Sequence, residues 1–162
     1  MQGMAPILHQ IEINSPDQTA NLAISLGQIL KAGDCLLLVG SVGAGKSLFA
    51  RALIQSLQDT PEDVPSPTFT IIQTYETKLG DLWHCDLYRI SSPHEVIELG
   101  LDDAMATAVT LIEWPENLAD LTPPDALTIR INDLGGDVRR LSFESTDSTW
   151  AAPLEKAFEN AI

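Results

Sequence analysis

The chain has 162 residues, 44% of them apolar, which is enough to bury one domain-sized core and too apolar for a disordered chain. Nine Lys and Arg against 23 Asp and Glu leave a formal charge of -14, which repels phosphate backbones and anionic lipid and argues against direct, tight nucleic-acid binding. Cys35 and Cys85 stand at neither metal-ligand nor disulfide-framework spacing, no run approaches the ~18 apolar residues of a spanning helix, and the start lacks signal-peptide character, so a single cytoplasmic domain is expected.

Ser15, Pro16 and Gln18 open a helix with a capping hydroxyl, a proline in the first helical position and a glutamine three residues after the cap. Leu22, Leu26, Ile29 and Leu30 recur at helical spacing, and Gly33 reads as the stop. Residues 35–39 form a short continuous apolar run, as in a strand buried on both faces, and run straight into a glycine-rich loop. Beyond it, Phe49, Ala52, Leu53 and Leu57 mark one face of a helix ending before Pro61. Pro65 and Pro67 break the chain, which resumes as a strand over 69–75 and turns at 78–81 into a second strand over 82–88, an inserted hairpin.

Ser92, Pro93 and Glu95 predict a second capping box and a helix through Leu99, with a break at Gly100 and a further turn to Ala106. Residues 109–112 are another apolar strand, ending abruptly in Glu113-Trp114-Pro115-Glu116. Residues 127–131 and 138–143 alternate around a turn at 132–136 and predict a hairpin at the sheet edge, and a helix over 150–161 closes the chain. The expected fold is α/β, of the three-layer P-loop NTPase type: a mostly parallel sheet with an inserted antiparallel hairpin and an antiparallel edge hairpin.

Gly40-Ser41-Val42-Gly43-Ala44-Gly45-Lys46-Ser47 completes the pattern G-x-x-x-x-G-K-[ST] between a strand and a helix. The glycines let successive backbone N–H groups turn toward a phosphate, and the helix N-terminus adds its partial positive charge. Lys46 is placed to bridge the β- and γ-phosphates of a nucleotide and the Ser47 hydroxyl to ligate magnesium. Such a loop needs a carboxylate on the magnesium side. Glu113, ending an apolar strand, and Asp86, in the more polar run at 83–89, are both candidates, one for the metal and the other for orienting the attacking water. Thr68 or Thr70, after the first helix, can sense the γ-phosphate through a hydroxyl. Trp114 reads equally as packing beside the nucleotide, as facing a partner or as an ordinary half-buried tryptophan, and His84 reads as a structural histidine.

Five segments in order, GSVGAGKS (40–47), VPSPTFT (64–70), HCDLYR (84–89), ELGLDD (98–103) and LIEWPE (111–116), resemble the bacterial TsaE (YjeE) family over about three quarters of the chain. The resemblance implies an ATPase that works with the TsaB and TsaD proteins to make threonylcarbamoyladenosine on tRNA, hydrolysis resetting the complex between turnovers. It also implies that Lys46 and Ser47 serve the nucleotide and magnesium, that Asp86, Glu113 and Trp114 are functionally important, and that Thr68 belongs to a switch-like segment. Ser41 stands where the family often has Asp, and Ser47 where it often has Thr; the backbone N–H and the hydroxyl remain. With a charge of -14, contact with tRNA is expected only through the partner proteins.

A small-molecule P-loop kinase ordinarily clamps the moving phosphoryl group with several arginines, and three of the five here, Arg130, Arg139 and Arg140, fall in the late hairpin. A GTP-dependent switch needs an N/T-K-x-D element; Thr77-Lys78-Leu79-Gly80 ends in glycine, so ATP is favoured over GTP.

Overall fold

The computed structural model describes residues 5–159 and Ala161. One seven-stranded sheet runs in the order β1-β7-β6-β2-β5-β4-β3. Its strands are β1 (Ile7–Ile13), β2 (Cys35–Gly40), β3 (Ile72–Thr77), β4 (Gly80–Asp86), β5 (Val109–Glu113), β6 (Leu127–Gly135) and β7 (Val138–Glu144). The central four, β6, β2, β5 and β4, are parallel, and both margins are antiparallel. This is the expected α/β architecture.

Alternation along β2 explains why every residue from Cys35 to Leu38 is buried. Leu36 and Leu38 join Leu127, Ile129, Leu141 and Phe143 on one face of the sheet. That face packs beneath α1 (Pro16–Gly27), α2 (Lys46–Ser56) and α5 (Ala151–Phe158). Cys35 and Leu37 point to the other face, with Cys85 and Ile112, under α3 (Pro93–Glu98), α4 (Leu101–Thr107) and a 3₁₀ segment, Pro115–Leu121. Each such Leu contributes about 1.5–3 kcal/mol on burial, so the sheet is held from both sides. Burial also pushes the Cys35 thiol up to about 12 and the Cys85 thiol higher still, holding both as inert, protonated core groups.

Several boundaries differ from the sequence reading for identifiable reasons. α1 ends at Gly27, not Gly33, because the chain tightens there into turns joining Gln28 N–H to Ser25 O and Ile29 N–H to Leu26 O. A Cβ at Gly27 would meet Ser56 Oγ at 3.1 Å, so this glycine lets α1 and α2 pack closely. The strand expected over 69–75 begins only at Ile72: Ile71 sits at φ 69, in the left-handed region that β-branched residues avoid, and residues 67–70 form a turn with Phe69 exposed. The second strand stops at Asp86, whose Oδ1 accepts the Tyr88 N–H at 2.9 Å and turns the chain.

The hairpin β3–β4 is part of the main sheet, since β4 pairs parallel with β5. The late hairpin lies one strand in from the edge. β1, a strand missing from the sequence reading, covers β7, and its outward-facing polar residues blur the alternation. At the second capping box Ser92 makes no side-chain cap; Glu95 Oε1 instead accepts from Ser91 N–H and Oγ–H. The closing helix is α5 with a 3₁₀ turn, Ser148–Trp150, before it, and part of the expected 150–161 span lies outside the described residues. No helix among the described residues is long and apolar enough to cross a membrane.

Candidate functional site

Ligand sites in sheets of this kind form at the carboxyl ends of the parallel strands, where consecutive connections leave in opposite directions. Here β2 has β6 on one side and β5 on the other, and its end feeds the loop at 40–47. Gly40 is demanded by packing: a Cβ there would stand 2.8 Å from the Ile131 carbonyl oxygen of β6. Gly43 and Gly45 adopt φ 83 and φ 112, which no side-chain-bearing residue takes without strain, and Gly45 caps α2 from the left-handed region. The loop thereby delivers Lys46 and Ser47 as the first residues of α2.

A cavity of about 340 Å³ gathers Gly43, Gly45, Lys46 and Ser47 from this end, Ser66 and Thr68 from the loop after α2, and Asp86, Glu113 and Trp114 from the ends of β4 and β5. Val42 completes its rim and is almost fully exposed. Ser41 is exposed outside the cavity and Ala44 is buried behind it. Thr68, not Thr70, reaches the cavity; its hydroxyl is 2.8 Å from Ser66 Oγ, while Thr70 Oγ1 accepts from Gln73 Nε2.

Parallel pairing sets Asp86 beside Glu113 on adjacent strands, both buried. Glu113 Oε2 lies 2.9 Å from His84 Nε2, and both side chains are nearly inaccessible to solvent. Lys46 is itself buried, with Nζ 4.5 Å from the centre of the Trp114 ring. Trp114 is fixed in the left-handed region, at φ 55, and its ring meets Tyr88 edge-on at 5.0 Å. The loop carrying Thr68 is tied to the acidic pair, because Ile71 O accepts the Asp86 N–H at 2.8 Å.

Two contacts escape the sequence reading. His84 touches Glu113 directly, and the clue is its placement two residues before Asp86, on the same face of β4. Arg139, in β7, donates from Nε to the Ala44 carbonyl at 3.1 Å and from Nη1 to Asp133, clasping the glycine loop to the β6–β7 hairpin. No local pattern announces a contact across 95 positions. A larger groove, about 630 Å³, lies between the 3₁₀ segment and β6, away from the glycine loop. Its Arg130 and Glu144 already form a two-bond ion pair, so its principal charges are matched internally.

A glycine-rich loop at a helix N-terminus, a buried lysine, a hydroxyl at the helix start and two adjacent acidic side chains are complementary to a polyphosphate with a divalent cation. Among the described residues no cluster of three or more His, Cys, Asp or Glu forms a self-sufficient metal cage, so such a cation would be held by Ser47 and one carboxylate together with ligand oxygens.

Comparison with known proteins agrees with this architecture. The model of the family described as threonylcarbamoyl adenosine biosynthesis protein TsaE matches residues 13–141. A tRNA threonylcarbamoyladenosine biosynthesis protein TsaE of Rickettsia bellii is 38% identical over 130 residues, spanning 80% of this chain and 90% of that protein. The TsaE protein of Bacillus subtilis is 34% identical over 137 residues, 84% of this chain and 85% of its own length. A crystal structure of YdiB from Bacillus subtilis superposes with a TM-score of 0.80 at 26% identity, covering 99% of this chain and 100% of that one. The chain therefore belongs to the TsaE family of tRNA threonylcarbamoyladenosine biosynthesis proteins.

Proposed function

We propose that this protein is the magnesium-dependent ATPase subunit of the machinery that makes threonylcarbamoyladenosine on tRNA, acting in the cytoplasm with TsaB and TsaD to permit repeated turnovers. The observation that carries the reading is the single cavity in which Lys46, Ser47, Asp86, Glu113 and Trp114 meet. In this reading the amides that line the cavity, from Val42, Gly43, Gly45, Lys46 and Ser47, cradle the phosphates, and the Lys46 ammonium donates to the β- and γ-phosphoryl oxygens. Magnesium, when bound, would supply charge neutralisation. Ser47 and one of the two carboxylates hold it, the other carboxylate orients the attacking water, and Thr68 senses the γ-phosphate. A charge of -14 leaves tRNA to be held by the partner proteins.

Steady-state ATP hydrolysis is the test. Turnover is expected to be negligible for the protein alone and to rise at least about tenfold with TsaB and TsaD. Stimulation by a small phosphoryl acceptor instead would make the protein a kinase.

The Arg139 clasp has a measurable consequence for the same site. Arg139→Ala removes a donor to the loop carbonyl, worth about 1 kcal/mol, so ATP affinity by titration calorimetry should fall roughly fivefold. Arg139→Lys should not restore it, because the native guanidinium also donates to Asp133 and to the Gly136 and Val138 carbonyls.

A further inference from the structure

His84 sits on β4 one pleat below Asp86 and faces the same side of the sheet, beneath α2. Its side chain is 2% exposed, that of Glu113 6%, and the two meet at 2.9 Å. Glu113 Oε2 is engaged by this contact, and Oε1 has no hydrogen-bond partner among the described residues. His84 Nδ1 is buried without a partner. With Glu113 as a carboxylate, which only accepts, the hydrogen of this bond comes from Nε2 of the imidazole.

The terminal torsion of a glutamate is broad and roughly two-fold, so the side chain does not by itself select which oxygen faces outward. Leu82, Val109 and Leu111, which alternate onto the same face of β4 and β5, belong to the apolar core. We infer that His84 is a positioning residue: by donating from Nε2 to Glu113 Oε2 it locks the carboxylate plane, so that the remaining oxygen is presented to the ligand in the 340 Å³ cavity. The inference rests on Glu113 acting in ATP hydrolysis, but the hydrogen bond itself is testable without turnover.

Two measurements decide it. Histidine imidazole ¹⁵N–¹H correlation spectra of the ligand-free protein, which has three histidines, should show His84 as the Nε2–H tautomer. Substitution Glu113→Ala should shift that proton resonance. An Nδ1–H tautomer, or a resonance insensitive to Glu113→Ala, overturns the proposal whether or not the protein is an ATPase.

Kinetics with TsaB and TsaD then separate positioning from packing. His84→Leu keeps volume but loses the donor, and kcat should fall about ten- to a hundredfold at unchanged KM for ATP, as for other residues that orient a functional group. His84→Gln, whose amide nitrogen reaches the Nε2 position, should recover to within about threefold of the parent. If His84→Leu does not fold, His84→Asn, whose amide falls short of Glu113, replaces it in the comparison. Equal impairment of the Leu and Gln variants, or a loss confined to KM, overturns the positioning role. No hydrolysis by the parent protein with its partners overturns the ATPase reading while leaving the spectroscopic result standing.

Discussion

Glu113→Gln should lower partner-stimulated ATP hydrolysis by about a hundredfold or more while leaving ATP affinity within about threefold of the parent, the scale expected when a group that manages the attacking water loses its charge. The amide is chosen for a physical reason. A glutamine oxygen still accepts the His84 Nε2–H across the same 2.9 Å, so the buried imidazole keeps its partner. Glu113→Ala should show the same catalytic loss plus a stability loss of about 1–3 kcal/mol, because it leaves that buried donor unpaired. Chemical denaturation of the two variants separates the contributions. Normal hydrolysis by Glu113→Gln would move the water-managing role to Asp86, the neighbouring carboxylate in the register.

Lys46→Ala should act on the other side of the site, weakening ATP binding itself by about tenfold to a hundredfold, since a charge-assisted hydrogen bond to phosphate contributes about 1.5–3 kcal/mol. Lys46 is buried and its Nζ rests 4.5 Å from the Trp114 ring centre, so the substitution also removes a cation–π contact. Tryptophan emission therefore serves as a second reading. In the parent protein ATP should change the Trp114 signal as Lys46 moves toward phosphate, and in Lys46→Ala that response should be lost. Undiminished affinity in the variant would remove Lys46 from the phosphate site.

The strand–loop–helix unit at 35–56 is legible in the sequence because its signals are local: an unbroken apolar run, glycines at fixed offsets and a helical stripe. The same holds for β5, whose apolar run points to Glu113. What is not legible depends on tertiary partners. β1 hides because one face looks outward, and the strand expected over 69–75 is displaced by the left-handed backbone at Ile71, which nothing in the local residue pattern marks. His84 reads as structural in the sequence because a single buried histidine carries no sign of its neighbour. Only the parallel register of β4 and β5 brings it under Glu113. Arg139 belongs to a hairpin that reads as remote, and the order β7-β6-β2 brings it back to the glycine loop.

That strand order also governs how the chain reaches its working form. Residues 35–38 pair with residues 110–113, and β4 must lie alongside β5 before Asp86 has its place. Pairings this distant in sequence carry a loop-closure cost before they return any contact energy, so the cavity beside the glycine loop is a late product of folding with no local precursor. A ligand that recognises only the finished cavity stabilises the whole sheet by mass action, by about 2.7 kcal/mol at a hundred times its dissociation constant. If ATP is that ligand, protease resistance of the chain should climb with ATP concentration, and a nucleotide would act on folding as well as on turnover.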